Sequence, residues 1–145
     1  MYAVIQRAGR TTLKVDGKLI SEIPHGLVVY LGIKTGDSED KCEILANKFS
    51  KLRIFEDENG KMNLSVKDVG GEILLVSQFT LCADCSHGNR PNFSLAEKPE
   101  RANELYKHTA QKLRDLGLTV KTGVFGADMK IEQLNDGPVS IIYEL

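Results

Sequence analysis

The sequence has no apolar run near the length needed to span a membrane as a helix, so a helical span is not expected. Its start, Met1-Tyr2-Ala3-Val4-Ile5-Gln6-Arg7, lacks a basic segment followed by a long apolar core, so a signal peptide is not expected either. Cysteine is scarce. Three residues are an odd count without secretory context, which points to reduced thiols in the cytoplasm. Net charge is only -1, so no global basic field advertises a nucleic-acid partner, and any RNA must be held by a local patch. Repeats, linkers and low-complexity segments are missing, and a chain of 145 residues is expected to form one domain, 1–145.

What remains is an ordinary globular composition, 41% hydrophobic and 27% charged. The chain is organised around Leu74-Leu75-Val76-Ser77-Gln78-Phe79-Thr80-Leu81, an apolar run ending in hydrogen-bonding side chains. That pattern predicts a buried strand that delivers polar groups to a loop. Before it, Tyr2 to Arg7, Thr11 to Val15 and Lys18 to Ile23 read as strands, the last two joined at Asp16-Gly17, which suits a two-residue hairpin turn. Leu27 to Ile33 is continuously apolar and predicts a central strand. Cys42, Leu45, Ala46 and Phe49 recur at helical spacing after an N-cap at Asp37 or Ser38, which places Cys42 in the core. Leu52 to Phe55 is a short strand, and Met62 to Val69 is ambiguous. Pro99 to Leu116 is a second helix, closed by Gly117. Thr119 to Lys121, Met129 to Leu134 and Val139 to Tyr143 complete the strands. The sum is an α+β domain with a mostly antiparallel sheet or barrel and two main helices.

No standard catalytic set is present. Cys82-x-x-Cys85 followed by His87 resembles half a zinc site or a redox pair, but no second ligand pair follows, so no metal or other cofactor is expected. His25 and His108 have no nucleophile partner in sequence. Gly123-Val124-Phe125-Gly126 lacks the lysine and spacing of a phosphate loop. The polar loop from Cys82 to Asn92 is long for a compact domain and favours function. Asn135-Asp136-Gly137-Pro138-Val139-Ser140 is the other unusual stretch. Taken alone it reads as a hairpin between the last two strands, with the X-Pro bond either cis or trans.

Ser77-Gln78-Phe79-Thr80-Leu81 together with Asn135-Asp136-Gly137-Pro138-Val139 resembles the D-aminoacyl-tRNA deacylase (D-Tyr-tRNA deacylase) family. The resemblance spans the chain, through Gln6-Arg7, Leu52 to Asp57, Lys61 to Ser65, Arg90 to Ser94 and Thr122 to Met129. Two departures are Cys82 and Cys85, where the family carries Tyr and Thr, and Ser140, where it carries Thr but the hydroxyl is kept. The resemblance implies an ester hydrolase that removes D-amino acids, and glycine, mischarged on tRNA. It implies a homodimer in which a cis Gly137-Pro138 turn of one subunit enters the other's site and rejects L-aminoacyl esters. By the same resemblance, the Gly137 and Pro138 carbonyls receive the substrate's α-ammonium, and the N–H groups of Phe79 and Thr80 stabilise the oxyanion. Gln78 and Ser77 order that pocket, Arg7 braces the Gly-Pro turn, and Phe125 and Met129 pack on the terminal adenosine. Whether Thr80 is a nucleophile or a hydrogen-bonding group stays open, as does core packing as the whole role of Met129.

Overall fold

The computed structural model describes residues 1–145. Its strands are β1 (Tyr2–Val15), β2 (Lys18–Ile23), β3 (Gly26–Gly32), β4 (Arg53–Glu56), β5 (Met62–Ser65), β6 (Glu72–Ser77), β7 (Val120–Thr122) and β8 (Met129–Glu144). Its helices are α1 (Glu39–Lys51) and α2 (Pro99–Asp115), and a 3-10 turn covers Phe79–Cys82.

The main sheet runs β2-β1-β3-β6-β7, with β8 on the other edge of β1. The pairings of β1 with β2, β3 and β8 are antiparallel, whereas β3–β6 and β6–β7 are parallel. The Ser21 hydroxyl donates to the Thr122 carbonyl at 2.6 Å, so β2 reaches β7 and the sheet nearly closes into a barrel. The expected hairpin is present: Val15 pairs with Lys18, and Asp16 and Gly17 both have positive φ, at 50° and 76°.

Strand alternation divides the core in two. Leu27, Val29 and Leu31 of β3 with Ile73 and Leu75 of β6 face the helices, whereas Val28, Leu74 and Val76 face the barrel interior with Ala8, Leu13 and Ile23. Both faces of β3 and β6 are therefore apolar, which is why their sequences read as uninterrupted hydrophobic runs. The helices cover the first face through Cys42, Leu45, Ala46 and Phe49 of α1 and Ala102, Leu105, Tyr106 and Leu113 of α2. Gly26 lies at the β3–β6 contact with φ 142°, and a Cβ there would sit 1.9 Å from the Glu72 carbonyl, so a larger residue would separate the parallel pair.

Two expectations need correction. The strands at Tyr2 to Arg7 and Thr11 to Val15 are one strand, β1. Asn135-Asp136-Gly137 is not a hairpin: both halves of β8 lie along the same edge of β1, and the stretch is an interruption in a single strand. Ala8 pairs with Asn135 and Gln6 with Ser140, so Arg7 alone stands opposite Asp136, Gly137, Pro138 and Val139. The chain bulges outward there because proline has no N–H to give the ladder. The N-cap falls where expected, at Ser38, although its side chain makes no capping bond. Asp37 instead accepts from the Met1 ammonium at 3.0 Å, the Lys34 N–H at 2.7 Å and Lys41 Nζ at 2.7 Å. No helix is long and apolar enough to cross a membrane.

Candidate active site

The C-terminal end of β6 opens into a cavity of about 510 Å³. Val76, Ser77, Gln78 and Phe79 form one wall. Phe125, Met129 and Ile131 face them, and Ala96, Glu97 and Ala102 close the side next to α2. The walls are mostly apolar. Their two carboxylates are engaged locally: Glu97 accepts from the Lys98 N–H at 2.8 Å, and Asp128 binds Lys130 Nζ at 3.0 Å.

Backbone geometry sets the polar end. The Gln78 N–H donates to the Leu31 carbonyl at 2.8 Å, which holds the strand end against β3. The chain then tightens into the 3-10 turn, whose bonds run from Leu81 N–H to the Gln78 carbonyl and from Ala83 N–H to the Thr80 carbonyl. Phe79 and Thr80 open that turn, so their N–H groups have no carbonyl one turn back to bond. The Gln78 amide donates to the Thr80 hydroxyl, which fixes both side chains at the mouth. Phe79 is exposed and stands edge-on to Phe93, with ring centroids 5.1 Å apart.

Phe125 and Met129 are half-buried; they line the cavity and also pack on the core. Phe125 rests against Tyr106, 6.1 Å between centroids. The Tyr106 hydroxyl donates to the Leu75 carbonyl at 2.7 Å, and burial pushes its pKa up to about 12, so it is a neutral strut.

The Gly137-Pro138 turn is exposed, its peptide bond is cis, and it does not line this cavity within the same protomer. Arg7 lies beneath the turn, 6% exposed. Its Nε donates to the Asp136 carbonyl at 3.1 Å and lies 3.2 Å from the Asp136 carboxylate, while Nη1 donates to the Ile54 carbonyl at 2.8 Å. A polar relay runs alongside. Tyr30 donates to Gln133 at 3.2 Å, Gln133 donates to Gln6 at 3.1 Å, and Gln6 donates to the Ser140 hydroxyl at 3.1 Å. Sequence reasoning missed this relay and the Glu97–Ala102 wall; two glutamines on paired strands were the one available signal.

The Cys82–His87 run does not come together as a site. Cys82 is buried with its thiol directed to the Ile33 carbonyl, Cys85 is exposed, and no cluster of three or more His, Cys, Asp or Glu side chains is placed to hold a metal ion.

The family model described as D-Tyr-tRNA(Tyr) deacylase matches residues 4–144. The chain is 53% identical over 144 residues to the D-aminoacyl-tRNA deacylase of Halalkalibacterium halodurans, covering 99% of each chain. It is 55% identical over 141 residues to that of Paracoccus denitrificans, covering 97% of this chain and 95% of the relative. Among solved structures, the c-Myc DNA unwinding element binding protein superposes with a TM-score of 0.94 at 43% identity, covering 100% of this chain and 99% of the other. A probable eukaryotic D-amino acid tRNA deacylase superposes with a TM-score of 0.84 at 15% identity, covering 99% and 98%, a likeness of fold. By sequence and by fold the chain belongs to the D-Tyr-tRNA(Tyr) deacylase family, hydrolases that act on the aminoacyl-tRNA ester bond.

Proposed function

We propose that this chain hydrolyses the ester of D-aminoacyl-tRNA, and of glycyl-tRNA, in the cytoplasm, and that it spares L-aminoacyl-tRNA. The observation that carries the reading is the 3-10 turn opened by Phe79, which lines an apolar cavity, and Thr80 next to it, both N–H groups unpaired within the turn, in a chain of this family. An aminoacyl ester is already activated, so no strong nucleophile is required, and positioning with charge stabilisation suffices. Water adds to the ester carbonyl, the two N–H groups hold the oxyanion, and collapse releases the amino acid and the ribose hydroxyl. Each such donor is worth about 3–4 kcal/mol in other enzymes. Gln78 and Thr80 keep the mouth ordered, and Ser77 adds a hydroxyl to the wall. Phe125 and Met129 offer the flat apolar surface that an unstacked adenine needs.

Selection against L-substrates requires groups on the far side of the α-carbon. In this reading they are the Gly137 and Pro138 carbonyls of a second subunit, which accept the α-ammonium and leave no room for an L side chain. Two features of the protomer favour an assembly: the turn projects from an edge strand, and the same strand exposes Leu134 and Ile142 at 65% and 78%. Glycine, without a side chain, passes the same filter. The direct test is deacylation of D- and L-aminoacyl-tRNA with and without chelator, together with light scattering. Hydrolysis of the D-ester by a chelator-resistant dimer is expected; an active monomer at assay concentration contradicts the cross-subunit arrangement.

A further inference from the structure

A second cavity, about 350 Å³, lies beside the first and shares Phe125 as a wall. One face of α2 forms its floor. Asn103, Lys107, Ala110 and Arg114 recur at helical spacing, and the small Ala110 leaves a hollow between two cationic side chains. Thr122 and Gly123 form the opposite side, and no carboxylate lines the cavity. The ion pairs of α2 use other cations: Arg101 with Glu39 and Glu104, and Lys112 with Glu43. Asp115 accepts from Gln111 at 2.8 Å. Arg114 spends one N–H on the Val120 carbonyl at 3.0 Å and keeps the rest of its guanidinium for a ligand. Asn103 adds a half-buried amide beside them.

Two cations without acids select a phosphate. We propose that this groove holds the nucleotide preceding the terminal adenosine of the tRNA 3′ end, its phosphate on Lys107 and Arg114. The inference rests on the reading that the first cavity takes the terminal adenosine, because Phe125 then separates two successive nucleotides. The groove also supplies the local basic patch that a chain of net charge -1 needs in order to hold RNA.

The test uses the whole chain and a fluorescent ribo-oligonucleotide ending in CCA. Lys107→Glu is expected to weaken binding by about tenfold and to flatten the salt dependence, as loss of a phosphate contact does. In activity, Lys107→Glu raises KM on D-aminoacyl-tRNA and leaves turnover of a D-aminoacyl-adenosine, which lacks the phosphate, unchanged. Wild-type affinity and salt slope in Lys107→Glu overturn the proposal. A wild type that hydrolyses neither ester removes the deacylase reading, and the oligonucleotide titration still decides the groove.

Discussion

The Arg7 guanidinium donates to the Asp136 carbonyl at 3.1 Å, so a buried cation on β1 holds the residue that leads into Gly137 and Pro138. The same side chain reaches the Ile54 carbonyl on β4, at 2.8 Å, and ties the bulge to the body of the protein. Arg7→Ala leaves that buried carbonyl without its donor, which costs about 1–3 kcal/mol. Urea unfolding is expected to show that loss, and kcat/KM on D-aminoacyl-tRNA is expected to fall by more than the stability change explains. Arg7→Lys cannot serve two directions at once and is expected to lie closer to Ala than to wild type.

Gly137 has φ 128°, and a Cβ there would approach Val139 Cγ2 at 2.8 Å and Arg7 Nη2 at 3.1 Å. Gly137→Ala is therefore expected to disturb the bulge while leaving the core intact. The expected outcome is near-normal thermal unfolding with a loss of D-substrate turnover; unchanged turnover would place the bulge outside the mechanism.

Gln78→Ala and Thr80→Ala remove side chains at the cavity mouth, beyond the apolar run of β6. Each removes one exposed hydrogen bond, so melting is expected to change little, while loss of order at the mouth is expected to slow deacylation by about tenfold. Full activity in both variants returns this stretch to a structural role.

The thiols separate by environment. Burial pushes the Cys42 and Cys82 thiols above their ordinary range, which keeps them protonated and unreactive at neutral pH, while Cys85 is exposed. Iodoacetamide is expected to add one label to the native protein, at Cys85, without loss of activity. Cys85→Ser should be silent, and Cys82→Ser should retain most turnover. Loss of activity on chelation, restored by zinc, contradicts this assignment.

Much of the fold was legible in the sequence where one pattern admitted one environment. The apolar runs of β3 and β6 marked strands buried on both faces, and the stripes on α1 and α2 marked the faces that cover them. Parallel pairing of β3, β6 and β7 was not legible, because a buried strand reads alike in either direction. Continuity of β8 was hidden by Gly137-Pro138, which punctuate a sequence as a turn does. The candidate site divides in the same way. Ser77 to Thr80 were visible as polarity at a strand end, whereas Glu97 and Ala102 reach the cavity only through the docking of α2. The relay from Tyr30 to Ser140 joins residues far apart in sequence and needed the β1–β8 register to appear.

Asp37 ties acid stability to the chain's N-terminus. Burial alone would push its carboxyl up, but bonds from Lys41, the Met1 ammonium and the Lys34 N–H outweigh it and hold the pKa below the ordinary 3.8. A depressed carboxylate contributes stability above its unfolded pKa and loses it as pH falls through the lower folded value. Unfolding free energy should therefore decline below about pH 4. Asp37→Asn leaves the buried Met1 ammonium its bond to the Leu145 carbonyl but no countercharge, and is expected to cost about 3 kcal/mol at neutral pH while flattening the acid slope.

In the proposed arrangement, backbone carbonyls of Gly137 and Pro138 from a second subunit, with the N–H groups of Phe79 and Thr80, read chirality by exclusion. The most direct measurement is the rate at which the wild-type protein deacylates D-, L- and glycyl-tRNA at matched concentrations. The account predicts fast hydrolysis of several D-esters, hydrolysis of the glycyl ester, and an L-ester that decays no faster than without enzyme. Equal rates on the D- and L-esters of one amino acid, or an untouched glycyl ester at high enzyme, contradict it.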